Sequence, residues 1–432
     1  MTRSSLFAAL AAVALTPALA AAQPFPLTGK PPGAQPLSGH NSVGFPPPNT
    51  TPGQPIETRP PELSTDTPAF PGQTRAPYRA TAPYNVTVIT DKLKQPWSLA
   101  FLPDGKMLVT QKPGAMVVIT ADGTISAPIS GVPAVYYRGQ VGLLDVVLDR
   151  DFAANKRIFF SYSEPVGEDN SNIAIASAKL DEGALALSDV KVIFRAQPAM
   201  PKTIAANQGG RLAVARDGSL FAIIGDRSGS PPWTVAQRLD TDLGKMIHIT
   251  AAGAPAPGNP FIGTPGARPE IWSIGHRSEQ GLSFDPKGRL WEVEDGPRGG
   301  DELNLIKPGK NYGWPIITHG IDYPGELIDN GLTEKAGMVQ PRYYWDPVIA
   351  PSGLAFYEGQ LFPGWKGSLF IGSLRQKHLV RLSLDGDRVV GEERLLNDLN
   401  ERIRAVQPGP DGALYVLTDG DHGRVLRLMP GP

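Results

Sequence analysis

One short phrase recurs six times along this chain and limits its fold more than any other feature. Each copy is an apolar strand, a turn usually centred on Asp-Gly or Lys-Gly, and a second apolar strand, as in GGRLAVARDGSLFAIIGD. The copies begin roughly 45–70 residues apart, near or above the period expected for propeller blades, at Pro96, Val141, Gly209, Gly281, Ser352 and Ile403. A two-sheet sandwich would also explain the alternation of apolar and polar residues, but it would not explain the recurrence. We therefore predict an all-β fold, a six-bladed β-propeller.

Amino-acid composition and hydropathy divide the chain into three parts. Residues 1–22 have a basic start at Arg3, an apolar stretch and then small residues, which is typical of a cleaved secretory signal. An uncleaved anchor is the alternative, but the apolar stretch is shorter than the roughly 20 residues that span a bilayer comfortably. Residues 23–83 are crowded with proline and poor in aliphatic side chains, which predicts a disordered linker outside the fold. The propeller is expected over residues 84–432, in the periplasm or secreted.

Charge and cysteine content exclude several classes of function. The formal net charge is −1 and no long run of one sign exists, so nucleic acid is not expected as a partner. No later segment is apolar enough for stable membrane insertion. The chain has no cysteine, which excludes disulfides, thiolate nucleophiles and cysteine-ligated metals. Any metal must be bound by oxygen or imidazole ligands.

The loop that ends in GGDE is a candidate site for a hard cation. Its glycines, Gly296, Gly299 and Gly300, allow backbone conformations in which carbonyl oxygens converge, and Asp301 and Glu302 stand beside them. Calcium takes six to eight oxygen ligands, so carbonyls and carboxylates in one tight loop suit it. A solvated acidic turn is the alternative for these residues taken alone.

Several longer phrases identify a family. They are GQVGLLDVVLDRDF, GGRLAV, IGDR, GHRSEQGL, EDGPRGGDELNLI, GKNYGWP, APSGLAFY and RIRAVQPGPDG. In this order, from about Val88 to Leu428, the sequence resembles the soluble pyrroloquinoline-quinone-dependent glucose and aldose sugar dehydrogenases. The resemblance implies that Gly296 and Pro297 offer carbonyls to a calcium ion that contacts the quinone. It also implies that Asp301, Glu302 and Tyr312 belong to a neighbouring structural calcium site.

The quinone is a planar tricarboxylate, so its pocket should contain converging cations. Arg402 and Arg404 are two residues apart on a predicted strand, which places both on one face, where paired guanidiniums suit carboxylates. Two solvent-facing arginines on an outer strand are the alternative. The resemblance assigns this pair to cofactor binding, together with Gln140, Arg277, Gln280 and Arg375, although a lysine is usual at the last position.

The proton chemistry departs from the family. Its general base is a histidine two residues before a small-Gly-Arg segment, but this sequence reads NQGGRL and has Asn207 there, while Asp226 keeps the place of the orienting carboxylate. An amide accepts no proton at neutral pH, and a positioned base contributes roughly 10²- to 10⁴-fold. Asp226 is the candidate substitute, because a carboxylate in a dry pocket can have its pKa raised. The six histidines, taken singly, are better explained by structural or surface roles: His40, His248, His276, His319, His378 and His422.

Three hypotheses of function follow. The first is a dehydrogenase that binds calcium and the quinone, oxidises an aldose or related sugar aldehyde, and passes electrons to an unidentified acceptor. The second, prompted by Asn207, is a propeller that binds calcium and a ligand without turnover. The third is a metal-dependent lactonase, since one fold hosts many chemistries. The partners expected are a small sugar and at most a second copy of the chain, as a monomer or homodimer.

Overall fold

The computed structural model describes residues 46–81, 83–227 and 233–431, which are almost entirely β structure. Strand β1 (Tyr84–Leu93) is followed by the first sheet, which contains β2 (Pro96–Phe101), β3 (Met107–Gln111) and β4 (Ala115–Ile119). The second contains β5 (Leu143–Leu148), β6 (Arg157–Val166), β7 (Asn170–Asp181), β8 (Ala186–Arg195) and the short β9 (Met200–Pro201). The third contains β10 (Gly209–Val214), β11 (Leu220–Ile224), β12 (Lys245–Ile249) and β13 (Ile271–Ile274).

The second half of the chain repeats this pattern. The fourth sheet contains β14 (Glu279–Phe284), β15 (Leu290–Glu294), β17 (Asp301–Leu305) and β19 (Tyr343–Trp345), and a small ladder pairs β16 (Arg298–Gly299) with β18 (Gly320–Ile321). The fifth contains β20 (Pro351–Phe356), β21 (Leu369–Ser373), β22 (Leu379–Asp385) and β23 (Arg388–Leu395). The sixth contains β24 (Ile403–Pro408), β25 (Leu414–Thr418), β26 (Gly423–Pro430) and, from the start of the chain, β1.

The helices of the described residues are short. They are one α-helix, α1 (Phe152–Asn155), and 3₁₀ turns at Thr234–Gln237, Pro363–Trp365 and Asn397–Leu399. Within this part of the chain, no helix has the length and hydropathy needed to cross a bilayer.

The six sheets close into a ring. Their first strands β2, β5, β10, β14, β20 and β24 contact one another in a closed cycle, and β1 pairs antiparallel with β26 from Tyr84↔Pro430 to Leu93↔Gly423. This pairing joins the start of the propeller to its end, so the sixth sheet is completed by a strand from the other end of the chain. The prediction of a six-bladed β-propeller is confirmed, and a two-sheet sandwich is excluded.

The core lies between neighbouring blades. Buried apolar side chains form clusters that each join two successive sheets, for example β2–β4 with β5–β8 through Leu108, Val146 and Phe160. Large aromatics such as Trp291 and Trp365 are fully buried in other clusters. Each such side chain stabilises the fold by about 1.5–3 kcal/mol on burial. Inner strands such as β3 and β11 are buried at every position, because successive side chains point to opposite faces and both faces of a blade are packed.

Residues 47–81, which we call the strap, correct one sequence prediction. The disordered linker predicted for residues 23–83 is wrong for the strap, because its few apolar side chains are buried against the propeller, including Ile56, Leu63 and Ala76. Its polar residues pair with the blades as well: Glu57 lies 3.2 Å from the Arg394 guanidinium. These contacts offset the conformational entropy that the strap loses when it becomes ordered. Composition alone predicted that this entropy would keep the segment disordered. Residues 23–45 and the predicted signal of residues 1–22 lie outside the described residues, where both remain predictions.

The innermost strands line a channel along the axis of the ring. Its volume is about 520 Å³ and residues from the first strand of each blade surround it. At one end the Arg211 guanidinium lies 3.4 Å from the Asp145 carboxylate and stacks 3.9 Å from the Trp97 ring centre. The loops that precede the innermost strands gather at this same end, and they carry most of the predicted site residues.

Candidate functional site

Hydrogen bonds between loops bring the predicted residues of different blades together. The Gln140 side-chain oxygen accepts the amide N–H of Asn207 at 2.7 Å, and the Asp226 amide donates to the Arg277 carbonyl at 2.8 Å. The buried Arg211 side chain donates to the carbonyls of Gln280 (2.8 Å) and Arg404 (3.1 Å). The structure therefore places these residues of blades two, three, four and six at one end of the ring.

Asn207 and Asp226 form the pair expected of a base position and its orienting group. The Asn207 Nδ2 donates to Asp226 Oδ1 at 3.0 Å, and the Trp314 indole N–H donates to Asp226 Oδ2 at 2.8 Å. Because a carboxylate only accepts, the amide of Asn207 must point its NH₂ group towards Asp226. Its Oδ1 is thus turned away from Asp226, able to accept a hydrogen bond from a hydroxyl but not to take its proton.

Four of the five described histidines form hydrogen bonds elsewhere, and the fifth, His422, is exposed. His248 lies between Ser219 and Asn259, and His276 between Ser273 and Glu294. His319 contacts Asp66 and Gln340, and His378 contacts the carbonyl of Gln376. In the hydrogen bonds of the described residues, no histidine is joined to Asn207 or Asp226. None of His248, His276, His319 and His378 is therefore placed to replace the missing base.

Arg402 and Arg404 converge on one carboxylate that the sequence analysis missed. Arg402 Nε and Arg404 Nη2 each lie 3.0 Å from Asp419 Oδ2, although Arg402 precedes β24 and Arg404 lies within it. Burial opposes ionisation of Asp419, but the two guanidiniums outweigh it and hold the pKa of this carboxyl well below its usual range. The Nε of Arg404 is buried and has no hydrogen-bond partner among the described residues. This orphaned donor is available to a bound anion.

Lys112 adds a third cation to this pair. It follows β3, its side chain is buried, and its carbonyl accepts the Leu143 amide at the start of blade two. Burial, followed by the positive charge of Arg404, lowers the pKa of Lys112 to about 8. Nothing in the sequence distinguishes Lys112 from any other lysine that directly follows a buried strand. Lys112, Arg402 and Arg404 form what we call the cation cluster.

Arg277 connects the cation cluster with the GGDE loop. Its Nη1 donates to the carbonyls of Asp295 (2.8 Å) and Gly296 (3.1 Å), and its guanidinium lies 5.3 Å from the Trp314 ring centre. The Arg277 Nε is a second buried donor without a partner among the described residues. Burial raises the pKa of Asp295 to about 7, even though Arg277, Arg404 and Arg402 all lower it, which shows that these charges act on one another.

Two predicted cofactor residues lie at the margin of this arrangement. Gln280 donates to the Ser278 hydroxyl at 3.2 Å and is buried. Arg375 is partly exposed just after β21, and its amide donates to the Ile349 carbonyl at 3.0 Å. Cofactor binding by these two side chains stays a prediction.

Asp301 organises the loop around Gly296 and Pro297. Its Oδ1 accepts the Gly296 amide at 2.8 Å, and its Oδ2 accepts the amides of Ile349 and Ala350 at 2.7 and 2.8 Å. Three backbone donors on one carboxylate fix the path of the loop, which is where the sequence predicted converging carbonyls. Direct ligation of a metal by Asp301 stays a prediction, since a carboxylate has about four acceptor positions.

A buried cluster of carboxylates lies beside this loop. Four glutamates and one histidine form what we call the acid cluster: Glu279, Glu292, Glu294, Glu302 and His276. Ligand atoms of His276, Glu292 and Glu294 lie within 4.8 Å of one another. Both carboxylate oxygens of Glu279 and of Glu292 lack hydrogen-bond partners among the described residues. Only Glu302 of this cluster was predicted; the others are scattered over two strands and a motif whose spacing does not reveal that they meet.

Burial is the main cause of the electrostatic state of the acid cluster. It raises the pKa values of Glu279, Glu292 and Glu302 well above their usual range, and Glu294 raises each of them further by repulsion. Buried carboxylates without partners are costly unless they are neutralised by protons or by a cation. The acid cluster therefore fits a hard divalent cation, which prefers oxygen ligands.

Tyr312 lies beside the acid cluster, and its predicted place in the neighbouring calcium site stays a prediction. Its hydroxyl donates to the Leu305 carbonyl at 2.8 Å and accepts the Lys307 amide at 2.9 Å, so it serves the main chain. Its ring stacks on His276 with centres 4.8 Å apart. Tyr312 thus supports the acid cluster through His276.

Comparisons with known proteins show which proteins this chain is similar to. The family model described as Glucose / Sorbosone dehydrogenase matches residues 93–427. Aldose sugar dehydrogenase YliI of Escherichia coli K12 is 45% identical over 357 residues, covering 82% of this chain and 95% of that protein. A crystal structure of a glucose dehydrogenase has a TM-score of 0.77 at 47% identity, covering 81% of this chain and 99% of that one.

The structure of an aldose sugar dehydrogenase with PQQ bound is also similar. The PQQ-bound aldose sugar dehydrogenase of Streptomyces coelicolor has a TM-score of 0.66 at 30% identity, over 81% of this chain and 99% of that one. The matched residues include the whole candidate site from Lys112 to Asp419. This chain belongs to the glucose/sorbosone dehydrogenase family.

Proposed function

We propose that this chain is a periplasmic dehydrogenase that binds pyrroloquinoline quinone and calcium and oxidises an aldose or related sugar aldehyde. Two sets of buried groups lie together at one end of the propeller. Among the described residues, the cations have hydrogen-bond donors without partners, and the carboxylates have acceptors without partners. This arrangement is the observation that carries the proposal. The first set suits the carboxylates of the quinone and the second suits calcium. When bound, the quinone would accept a hydride from the substrate carbon, and calcium would make it more electrophilic.

Different residues of the chain would bind the cofactor and the calcium ions. The cation cluster and Arg277 would hold the carboxylates of the cofactor, because the ammonium of Lys112 and the three guanidiniums offer charge-assisted hydrogen bonds. Gln140 fixes the main chain of Asn207, and Gln280 and Arg375 would complete the cofactor contacts. The carbonyls of Gly296 and Pro297 would face one calcium ion, and the acid cluster would bind a second.

Asn207 would orient the substrate without acting as a base. Its NH₂ group is held by Asp226, so its oxygen can accept the hydrogen bond of a sugar hydroxyl. The proton must then leave to another group, and Asp226 is our candidate because it lies directly behind Asn207. The same observation favours a second function, a propeller that binds calcium and quinone without turnover.

Titration of the purified full chain with the quinone, with and without calcium, tests both functions. A calcium-dependent absorption spectrum of bound quinone, with dye reduction that requires an aldose, is the expected result. Bound quinone without turnover on a broad panel of aldoses would favour the second function. Failure to bind the quinone, together with hydrolysis of lactones, would overturn the proposal in favour of the lactonase.

A further inference from the structure

The strap contacts the GGDE loop, residues 296–302, directly. The strap lies outside the residues that the family model matches, whereas the loop lies within them. We propose that the strap is a clamp that holds this loop in its metal-binding conformation, through Glu62 and Leu63 on the strap and Arg298 and Asp346 on the propeller. The part of the proposal that concerns metal rests on the proposed function, while the clamp itself does not.

The first contact is an ion pair between the strap and the loop. Glu62 Oε2 lies 2.5 Å from Arg298 Nη2 and 3.2 Å from Arg298 Nε. Arg298 lies in β16, next to Pro297, and pairs with Ile321 in β18. Both side chains are more than two-thirds buried, so this pair is less screened than one at the surface. Glu62 therefore fixes Arg298 from the side of the loop that faces the strap.

The second contact is made through a buried carboxylate. Asp346 accepts the Glu62 amide at 2.9 and 3.0 Å and the Leu63 amide at 3.2 Å. On its other side Asp346 packs on Gly299 so closely that a Cβ there would lie 2.6 Å from Asp346 Oδ1. The main chain next to it, at Trp345, accepts the Gly300 amide at 3.0 Å. The carboxylate is thus held between the strap and the loop.

The third contact supports the loop from a neighbouring segment. Asp66 of the strap lies 2.8 Å from His319 Nδ1 and accepts the Tyr344 hydroxyl at 2.6 Å, and the rings of His319 and Tyr344 stack 3.8 Å apart. The main chain of His319 is packed against Gly300, where an added Cβ would meet it at 2.9 Å. The strap therefore braces the loop both directly and through the residues packed on it.

A clamp of this kind has a physical purpose. The loop must keep several oxygens close together, and their repulsion favours opening whenever no cation is bound. Contacts made outside the ligand set lower the conformational cost of binding, because the loop is ordered in advance. We therefore expect the strap to increase calcium affinity although it contributes no ligand.

Hydrogen exchange of the metal-free full-length protein, followed by calcium titration, tests the clamp. In Asp346→Asn, the amides of residues 298–300 should exchange about tenfold or more faster, since hydrogen bonds to a charged acceptor are lost. In Glu62→Gln the increase should be about two- to fivefold, as for a moderately screened ion pair. The calcium Kd should rise in the same order. Glu57→Gln is the matched control, because Glu57 pairs with Arg59 of the strap and Arg394 of blade five and not with the loop.

The outcomes separate the clamp from the proposed function. Unchanged loop exchange in both Asp346→Asn and Glu62→Gln would overturn the clamp. So would an equal increase in Glu57→Gln, because that result would indicate general destabilisation. If wild type binds no calcium, the metal part of the proposed function fails, and the exchange rates of the metal-free variants still decide whether the strap holds the loop.

Discussion

Replacing Asn207 by histidine is the change that most directly examines the proton chemistry. The Nδ2 of asparagine and the Nδ1 of histidine are both two bonds from Cβ, so the imidazole N–H can take over the present 3.0 Å hydrogen bond to Asp226. Residue 207 has φ +46°, a left-handed conformation in which histidine, like asparagine, is enriched. The ring would then present Nε2 as a base on the side away from Asp226.

The size of the expected effect follows from this geometry. A positioned base raises the rate roughly 10²- to 10⁴-fold. The residues around position 207 are not adapted to an imidazole, so we expect a smaller gain in turnover, of at least about tenfold. The ordinary histidine pKa is about 6.5, and the Asp226 carboxylate would raise it by stabilising the imidazolium. The gain should therefore be lost as the pH falls through the pKa of His⁺ and be full above it.

The assay is steady-state dye reduction with aldoses across this pH range, with quinone affinity measured in parallel. Asn207→Gln is the control, because it keeps an amide donor and adds no base. Equal turnover for wild type and Asn207→His, with the quinone bound equally, would refute the reasoning that the base is the missing part. In that case Asp226→Asn should abolish the turnover of wild type, and if it does not, Asp226 is not the base either.

Other predictions concern cofactor, metal and acid stability. Arg404→Ala should weaken quinone binding roughly 10- to 100-fold in spectral titrations, and Arg402→Ala less, because 46% of its side chain is exposed; Arg427→Ala, which breaks an ion pair with Asp411 at the opposite end of the same blade, is the control and should change nothing. Removal of calcium by EDTA should lower the Tm, since a ligand at 100 times its Kd stabilises by about 2.7 kcal/mol; an identical Tm after exhaustive chelation would contradict both metal sites. Burial opposes ionisation of Glu57, but Arg59 and Arg394 lower its pKa from 4.5 to about 2, so its stabilisation is present above pH 4.5 and is lost as the pH falls towards 2. Urea unfolding should show Glu57→Gln less stable than wild type at neutral pH, with a smaller loss between pH 4.5 and 2; parallel curves would exclude this ion pair as the cause.

The fold was predictable because it depends on a pattern that repeats. Each copy of the phrase beginning at Pro96, Val141 or Gly209 contains the two innermost strands of one blade. In the first and third of these copies the turn glycines, Gly105 and Gly218, lie where the strands reverse. The ordered conformation of the strap was not predictable from composition, because it depends on which residues of the blades a few of its side chains contact. Ile56 and Leu63 are buried in the folded protein, and the proline content of the strap carries no information about the residues that cover them.

The candidate site was predictable where its residues are close in the sequence or fall in a family phrase. Arg402 and Arg404 were found by spacing, and the Gly296 loop by its glycines and acids. Asp419 and Lys112 were missed, because each reaches the arginines from a different strand and has no local signal. The acid cluster was missed for the same reason, since Glu292 and Glu294 alternate with buried apolar residues and read as ordinary positions of β15.

The position of Asp226 bears on which of the two functions is correct. Its carboxylate is fully buried, with the Asn207 amide on one oxygen and the Trp314 indole on the other. To act as the base in the wild type, it must receive a proton past Asn207, whose NH₂ group blocks the nearer oxygen and cannot relay a proton as an imidazole does. Transfer to Asp226 therefore requires the Asn207 side chain to rotate or a water to bridge the gap, and either requirement slows the reaction. The proposed oxidation should therefore be slow in the wild type, and the arrangement assigns this slowness to one side chain, Asn207.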